Sequence, residues 1–179
     1  MIYLPGTTWF TILALHETGG NENDLLPVVR AVAPGAAVLR PRLDEVTAAG
    51  LAERVAAQVK QHGLNAARVC AFGYSTGADL AAQLLLEHPG LLTAAVLLRP
   101  GSATRPGALP TLDSTAVLVV AGTTDTNHPP DSAVAVARLL AETGARVDFT
   151  EHDADHGLTP QDFALARRWL GELVAGNAE

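Results

Sequence analysis

The sequence predicts an α/β fold in which a mostly parallel sheet of about six or seven strands carries helices on both faces and no cap domain. Short apolar runs recur along the chain, and their apolarity is continuous rather than alternating, as in strands covered on both faces. Longer segments between them carry apolar residues at helical spacing and end in Gly or Pro-Gly stops. Strand and helix alternating at this rhythm imply right-handed crossovers and a parallel sheet. The bulk numbers agree: 179 residues, 48% hydrophobic and 17% charged, suit one globular domain over 1–179 with a sizeable core.

In chain order, the first strand is "WFTILAL" (Trp9 to Leu15), and the Gly-rich turn after it leads into a short helix starting near Asp24. "AAVLR" (Ala36 to Arg40) follows, then a helix in "LAERVAAQVKQHG", where Leu51, Val55 and Val59 lie four apart and Gly63 is the stop. Strand "ARVCAF" (Ala67 to Phe72) precedes a helix running from the Gly77 region to Pro89-Gly90, and "AAVLL" (Ala94 to Leu98) comes next. The Pro- and Gly-rich stretch Arg99 to Thr115 reads as a loop, too short for a second domain. Strand "AVLVVA" (Ala116 to Ala121) leads to a helix with Asp131 and Ser132 as N-cap candidates and Gly144 as terminator. Strand "RVDFTEH" (Arg146 to His152) leads to a last helix, with Thr159 before Pro160 at its first position.

Charge excludes several classes of partner. The net charge is −7, Lys60 is the only lysine, and the longest basic run is Arg167-Arg168. A phosphate-tracking surface needs clustered cations, so neither nucleic acid nor an anionic membrane is expected. The N-terminal stretch is apolar but lacks a basic n-region and a small-residue cleavage site, and no run is long enough to span a bilayer. A cytoplasmic protein, monomeric or homodimeric, is expected. The single cysteine, Cys70, rules out an internal disulfide and reads as a core residue.

Between strand "ARVCAF" and the next helix stands "GYSTG", a G-x-S-x-G pattern. In that motif the serine occupies a strained strand-to-helix turn, and small residues two positions away let the chains pass. Ser75 is therefore the nucleophile candidate, and the Thr76 N–H, at the helix start, is a donor for developing negative charge. A serine needs a base and the base an orienting acid. Asp125 and His156 lie in loops after the carboxyl ends of later strands, on the same sheet edge as the nucleophile turn. Asp113, Asp131 and His152 are the alternatives, while His62, His88 and His128 read as loop or helix-end residues. Metal ligation is disfavoured, because "HE" at His16-Glu17 lacks a second histidine at position 20, and the loop of Asp153, Asp155 and His156 has the simpler catalytic explanation.

The stretches "LALHETGGNENDLLP", "VCAFGYSTGADLAAQLLLEHP", "VLVVAGTTDTNHPP" and "DADHGLT" make the chain resemble the α/β-hydrolase superfamily. Within it the chain is similar to small carboxylesterase/phospholipase-type and dienelactone-hydrolase-like members. The resemblance implies a Ser75, Asp125, His156 triad and an oxyanion hole made by the N–H groups of Thr18 and Thr76. It also implies cleavage of small carboxylic esters through an acyl-enzyme, without a cofactor. His16, Glu17 and Tyr74, next to the oxyanion turn and the nucleophile in sequence, are expected substrate contacts. The alternative is a small-molecule binding or sensing module, or a proton-transfer enzyme, on the same fold.

Two departures matter. Glu17 stands where related proteins carry glycine, and the region between Leu39 and Leu51 leaves no room for a lid. Without a lid the expected cleft is open and suits short acyl groups or small aromatic esters. For Glu17 three readings are open: an ordinary backbone with the side chain toward solvent, a carboxylate repelling the oxyanion, or a second acid/base group.

Overall fold

The computed structural model describes residues 1–8, 10–43 and 46–176. Its strands are β1 (Ile2–Leu4), β2 (Thr11–Leu15), β3 (Ala37–Arg40), β4 (Val69–Tyr74), β5 (Ala94–Leu98), β6 (Ala116–Gly122) and β7 (Arg146–His152). The helices are α1 (Leu26–Val32), α2 (Ala48–Gln61), α3 (Thr76–Glu87), α4 (Pro130–Ala141) and α5 (Pro160–Gly176). They build a seven-stranded sheet ordered β1-β3-β2-β4-β5-β6-β7, parallel except for β1, which runs antiparallel to β3.

Continuous apolarity is explained by burial on both faces. Strands β2, β3, β5 and β6 are buried along their whole length. Alternate residues feed opposite layers: Leu13, Leu15 and Ala71 join the core beneath α2, α3 and α4, whereas Ile12, Ala14, Cys70 and Phe72 join the one beneath α1 and α5. Burial also pushes the Cys70 thiol up, as its reading as a core residue requires.

Several element boundaries differ from the sequence reading, each for a local reason. The expected start of the first strand, Trp9, lies outside the described residues, and β2 is set from Thr11. Helix α1 begins at Leu26 because Asp24 turns its carboxylate back onto the Asn21 N–H, 2.7 Å away, and so holds the preceding loop. Helix α2 starts at Ala48, where the Thr47 hydroxyl accepts the Gly50 N–H. Pro130 occupies the first turn of α4 with Pro129 as its cap, so Asp131 and Ser132 lie inside the helix rather than capping it. Strand β1, three residues long, was not foreseen. Residues 99–115 form a loop, as expected. No helix among the described residues is long and apolar enough to cross a membrane.

The order of the central strands positions the site. The chain runs from β2 to β3 on one side, then crosses to β4 on the other, so the turns after β2 and β4 emerge side by side at the carboxyl edge. That switch point is where open α/β sheets bind ligands.

Candidate active site

Ser75 sits between β4 and α3 with φ 55° and ψ −125°, and with Arg99 it is one of two non-glycine residues at positive φ among those described. Such a backbone persists only where its surroundings over-determine it. Here the Ser75 N–H donates to the Leu98 carbonyl at 2.9 Å, and α3 begins immediately after it. Gly77 allows this turn to press against β2, because a Cβ there would lie 2.0 Å from the Leu15 carbonyl oxygen.

His156 and Asp125 arrive from the loops after β7 and β6. The Ser75 hydroxyl lies 2.9 Å from His156 Nε2, and His156 Nδ1 lies 2.8 Å from Asp125 Oδ2. The other carboxylate oxygen of Asp125 accepts the N–H groups of Asn127 and His128, each at 2.9 Å. Burial raises the Asp125 pKa, but the His128 and Asn127 N–H bonds and the His156 ring outweigh it, leaving the group below the usual carboxylate value. An ionised Asp125 accepts from Nδ1–H, which leaves Nε2 free to take the serine proton.

The alternatives fall elsewhere. Asp113 precedes β6 and Asp131 lies within α4. His152 is buried, with Nε2 2.8 Å from Asp162. Among the described residues no group of three or more His, Cys, Asp or Glu side chains is placed to hold a metal ion.

The turn after β2 settles the conformation of Glu17. Its positive φ falls on Gly19, at 85°, and Glu17 is not in the glycine-favouring region, so no glycine is needed there. The Glu17 carbonyl accepts the Gly20 N–H at 3.0 Å and the His16 ring N–H at 2.8 Å. Its side chain is half-buried rather than turned fully to solvent. His16, expected among the substrate contacts, is instead buried beneath the turn and braces its backbone.

Thr18 and Thr76 do meet, in a form the sequence did not suggest. The Thr18 N–H donates to the Thr76 hydroxyl at 2.7 Å, and the two hydroxyls lie 2.9 Å apart. That donor is thus engaged by a side chain in the free protein. As the first residue of α3, Thr76 has an N–H with no partner one turn earlier in the helix.

Tyr74 is half-buried, and its hydroxyl donates to the His156 carbonyl at 3.0 Å. Burial, reinforced by the Glu17 carboxylate, pushes the Tyr74 hydroxyl up to about 12, so it stays a donor at neutral pH. Its polar end holds the histidine loop; only its ring, 5.5 Å from the His156 ring, is left to border a substrate.

Sequence reasoning missed His128, Arg99 and Asp162. His128 packs edge-on against the His156 ring, with centroids 4.9 Å apart, and its Nδ1–H donates to the Arg99 carbonyl at 2.7 Å. The fully buried Arg99 forms a two-pronged ion pair with Asp162, at 2.8 and 3.0 Å. Two signals were available: a lone arginine ending an apolar strand, and the T-x-x-D spacing of Thr159 and Asp162 at a helix start.

Similar sequences and folds occur among known hydrolases. The model of the dienelactone hydrolase family matches residues 33–165. The Bacillus subtilis (strain 168) protein MhqD is 31% identical over 196 aligned positions, covering 97% of this chain and 98% of that one. The Bacillus cereus carboxylesterase superposes with a TM-score of 0.88 at 28% identity, over 96% of this chain and 92% of its own. A Mesorhizobium loti carboxylesterase gives 0.83 at 28% identity, over 93% and 90%. On this match the chain belongs to the dienelactone hydrolase family: it is a hydrolase of the dienelactone hydrolase and carboxylesterase type, built on the α/β-hydrolase fold.

Proposed function

We propose that the protein is a serine carboxylesterase that cleaves small carboxylic esters through an acyl-enzyme. The observation that carries this reading is the unbroken relay from Ser75 Oγ to His156 Nε2, and from His156 Nδ1 to Asp125, at 2.9 and 2.8 Å on a strained turn.

His156 takes the Ser75 proton as the hydroxyl oxygen attacks the acyl carbon, and Asp125 stabilises the imidazolium. The oxyanion is met by the Thr76 N–H and by the Thr18 N–H, which exchanges the Thr76 hydroxyl for the substrate oxygen. The imidazolium then protonates the leaving alkoxide. Water, deprotonated by the same histidine, releases the acid and restores the serine. No step requires a cofactor.

In this reading Glu17 lowers the efficiency of the site, because its carboxylate acts on the Tyr74 hydroxyl next to the nucleophile and so bears on the developing oxyanion. Two like charges about 5 Å apart at an effective dielectric near 20 would repel by about 3 kcal/mol, which partial exposure reduces to roughly tenfold in rate. Glu17→Gln should therefore raise kcat for p-nitrophenyl acetate about tenfold, and, with no room for a lid to enclose a long acyl chain, short-chain p-nitrophenyl esters should be hydrolysed in preference to long-chain ones. Absence of turnover for every ester contradicts the esterase reading. A fall in kcat in Glu17→Gln contradicts the repulsion and makes the carboxylate a participant in proton handling.

A further inference from the structure

We propose that Arg99 is a positioning residue for this site, holding the turn of the nucleophile and the loops of both histidines in one register; the inference rests on the esterase reading above. Arg99 follows the last residue of β5 and is fully buried, a costly place for a cation unless every donor is matched. Its guanidinium reaches four segments, one of them the end of β7, where Nη2 lies 3.5 Å from His152 Nε2. Nε donates to the carbonyl of Asp155, the residue before His156, at 3.1 Å. Nη1 and Nη2 grip the two oxygens of Asp162, and Nη1 also approaches the Val120 carbonyl of β6 at 3.5 Å.

Asp162 fixes the other end of the same loop. It accepts the N–H and hydroxyl of Thr159, at 2.7 and 2.9 Å, closing the first turn of α5, and it accepts His152 Nε2–H from the end of β7. The loop carrying His156 is therefore tied at Asp155 and Thr159 to one ion pair. Burial raises the Asp162 pKa, yet His152, Arg99 and Thr159 together outweigh it and keep the carboxylate charged.

The backbone of Arg99 completes the arrangement. Its φ of 55° turns its carbonyl to His128 Nδ1 and its N–H to the Val120 carbonyl, at 2.9 Å. His128 in turn gives its own N–H to Asp125, and the carbonyl preceding Arg99, that of Leu98, holds the Ser75 N–H. Two consecutive residues thus touch supports of Ser75, Asp125 and His156. Lysine lacks the planar fork that satisfies Asp162 and Asp155 together.

The test compares wild type, Arg99→Lys and Arg99→Met, each confirmed folded by circular dichroism. Two readouts are used: p-nitrophenyl acetate kinetics across pH, and the low-field proton NMR signal of His156 Nδ1–H in the free protein. In Arg99→Met, kcat should fall about 100-fold with KM within threefold, as misplaced catalytic groups require, and the low-field signal should broaden or vanish. Arg99→Lys should recover part of both. Should Arg99→Met not fold, Asp162→Asn, which keeps the arginine, is measured in its place with the same expectation. A folded variant with unchanged kcat and an intact low-field signal overturns the proposal. The NMR readout does not depend on turnover, so an inactive wild type refutes the esterase reading while the signal still decides the role of Arg99.

Discussion

Exchanging Asp125 for asparagine lowers kcat for ester hydrolysis by about 10⁴-fold and leaves the fold in place. The amide oxygen can still accept the N–H groups of Asn127 and His128, so the loop keeps its anchors. The amide nitrogen, however, then faces His156 Nδ1 as a donor. It selects the tautomer protonated on Nε2, and the ring can no longer take the Ser75 proton. The imidazolium also loses its counter-charge. Steady-state kinetics check the loss, and a thermal melt within a few degrees of wild type shows that it is chemical. A decrease smaller than tenfold would mean that Asp125 does not orient the base.

Gly77→Ala should be among the most damaging single substitutions to stability, although it adds only a methyl group. The added Cβ would stand 2.0 Å from the Leu15 carbonyl oxygen and 2.6 Å from that of His16. Those backbone atoms belong to the last residue of β2, locked between β3 and β4, and to the residue after it, and cannot retreat as a flexible side chain would. Overpacking against backbone in a central strand is expected to cost about 3 kcal/mol, or roughly 6–12 °C in Tm for a chain of this size. Gly171→Ala is the control. It lies in α5 with nothing within 4 Å of its would-be Cβ, and should gain about 0.5–1 kcal/mol from helix propensity. Equal melting temperatures for the two variants would contradict the close approach of the nucleophile turn to β2.

What the sequence reveals about this protein follows from how local each determinant is. The buried strands announce themselves because unbroken apolar runs have few other uses, and β5 and β7 match their expected limits to the residue. The G-x-S-x-G turn is readable because both glycines serve contacts within a few residues or with an adjacent strand. Strand β1 is too short, at three residues, to show a period, and pairs with β3. Asp24 and Pro130 shift helix starts through hydrogen bonding and a missing N–H that a hydrophobic pattern does not register.

The supports of the site are less legible. Arg99 and Asp162 are 63 residues apart, and the local signals, an arginine ending an apolar strand and a T-x-x-D helix start, do not pair the two charges across the sheet. His128 resembles any polar loop histidine until the fold lays its ring against His156. Engagement of the Thr18 N–H by the Thr76 hydroxyl depends on one side-chain rotamer across 58 residues. Sequence pattern names the candidate reacting groups, whereas the groups that hold them emerge only in the tertiary structure.

The most direct test of the central claim, that Ser75 is the nucleophile, is mass spectrometry of the protein after exposure to a fluorophosphonate. The account predicts one covalent adduct per chain, located on the peptide containing Ser75, lost in Ser75→Ala together with ester turnover. Adduct formation or turnover that persists undiminished in Ser75→Ala would contradict it.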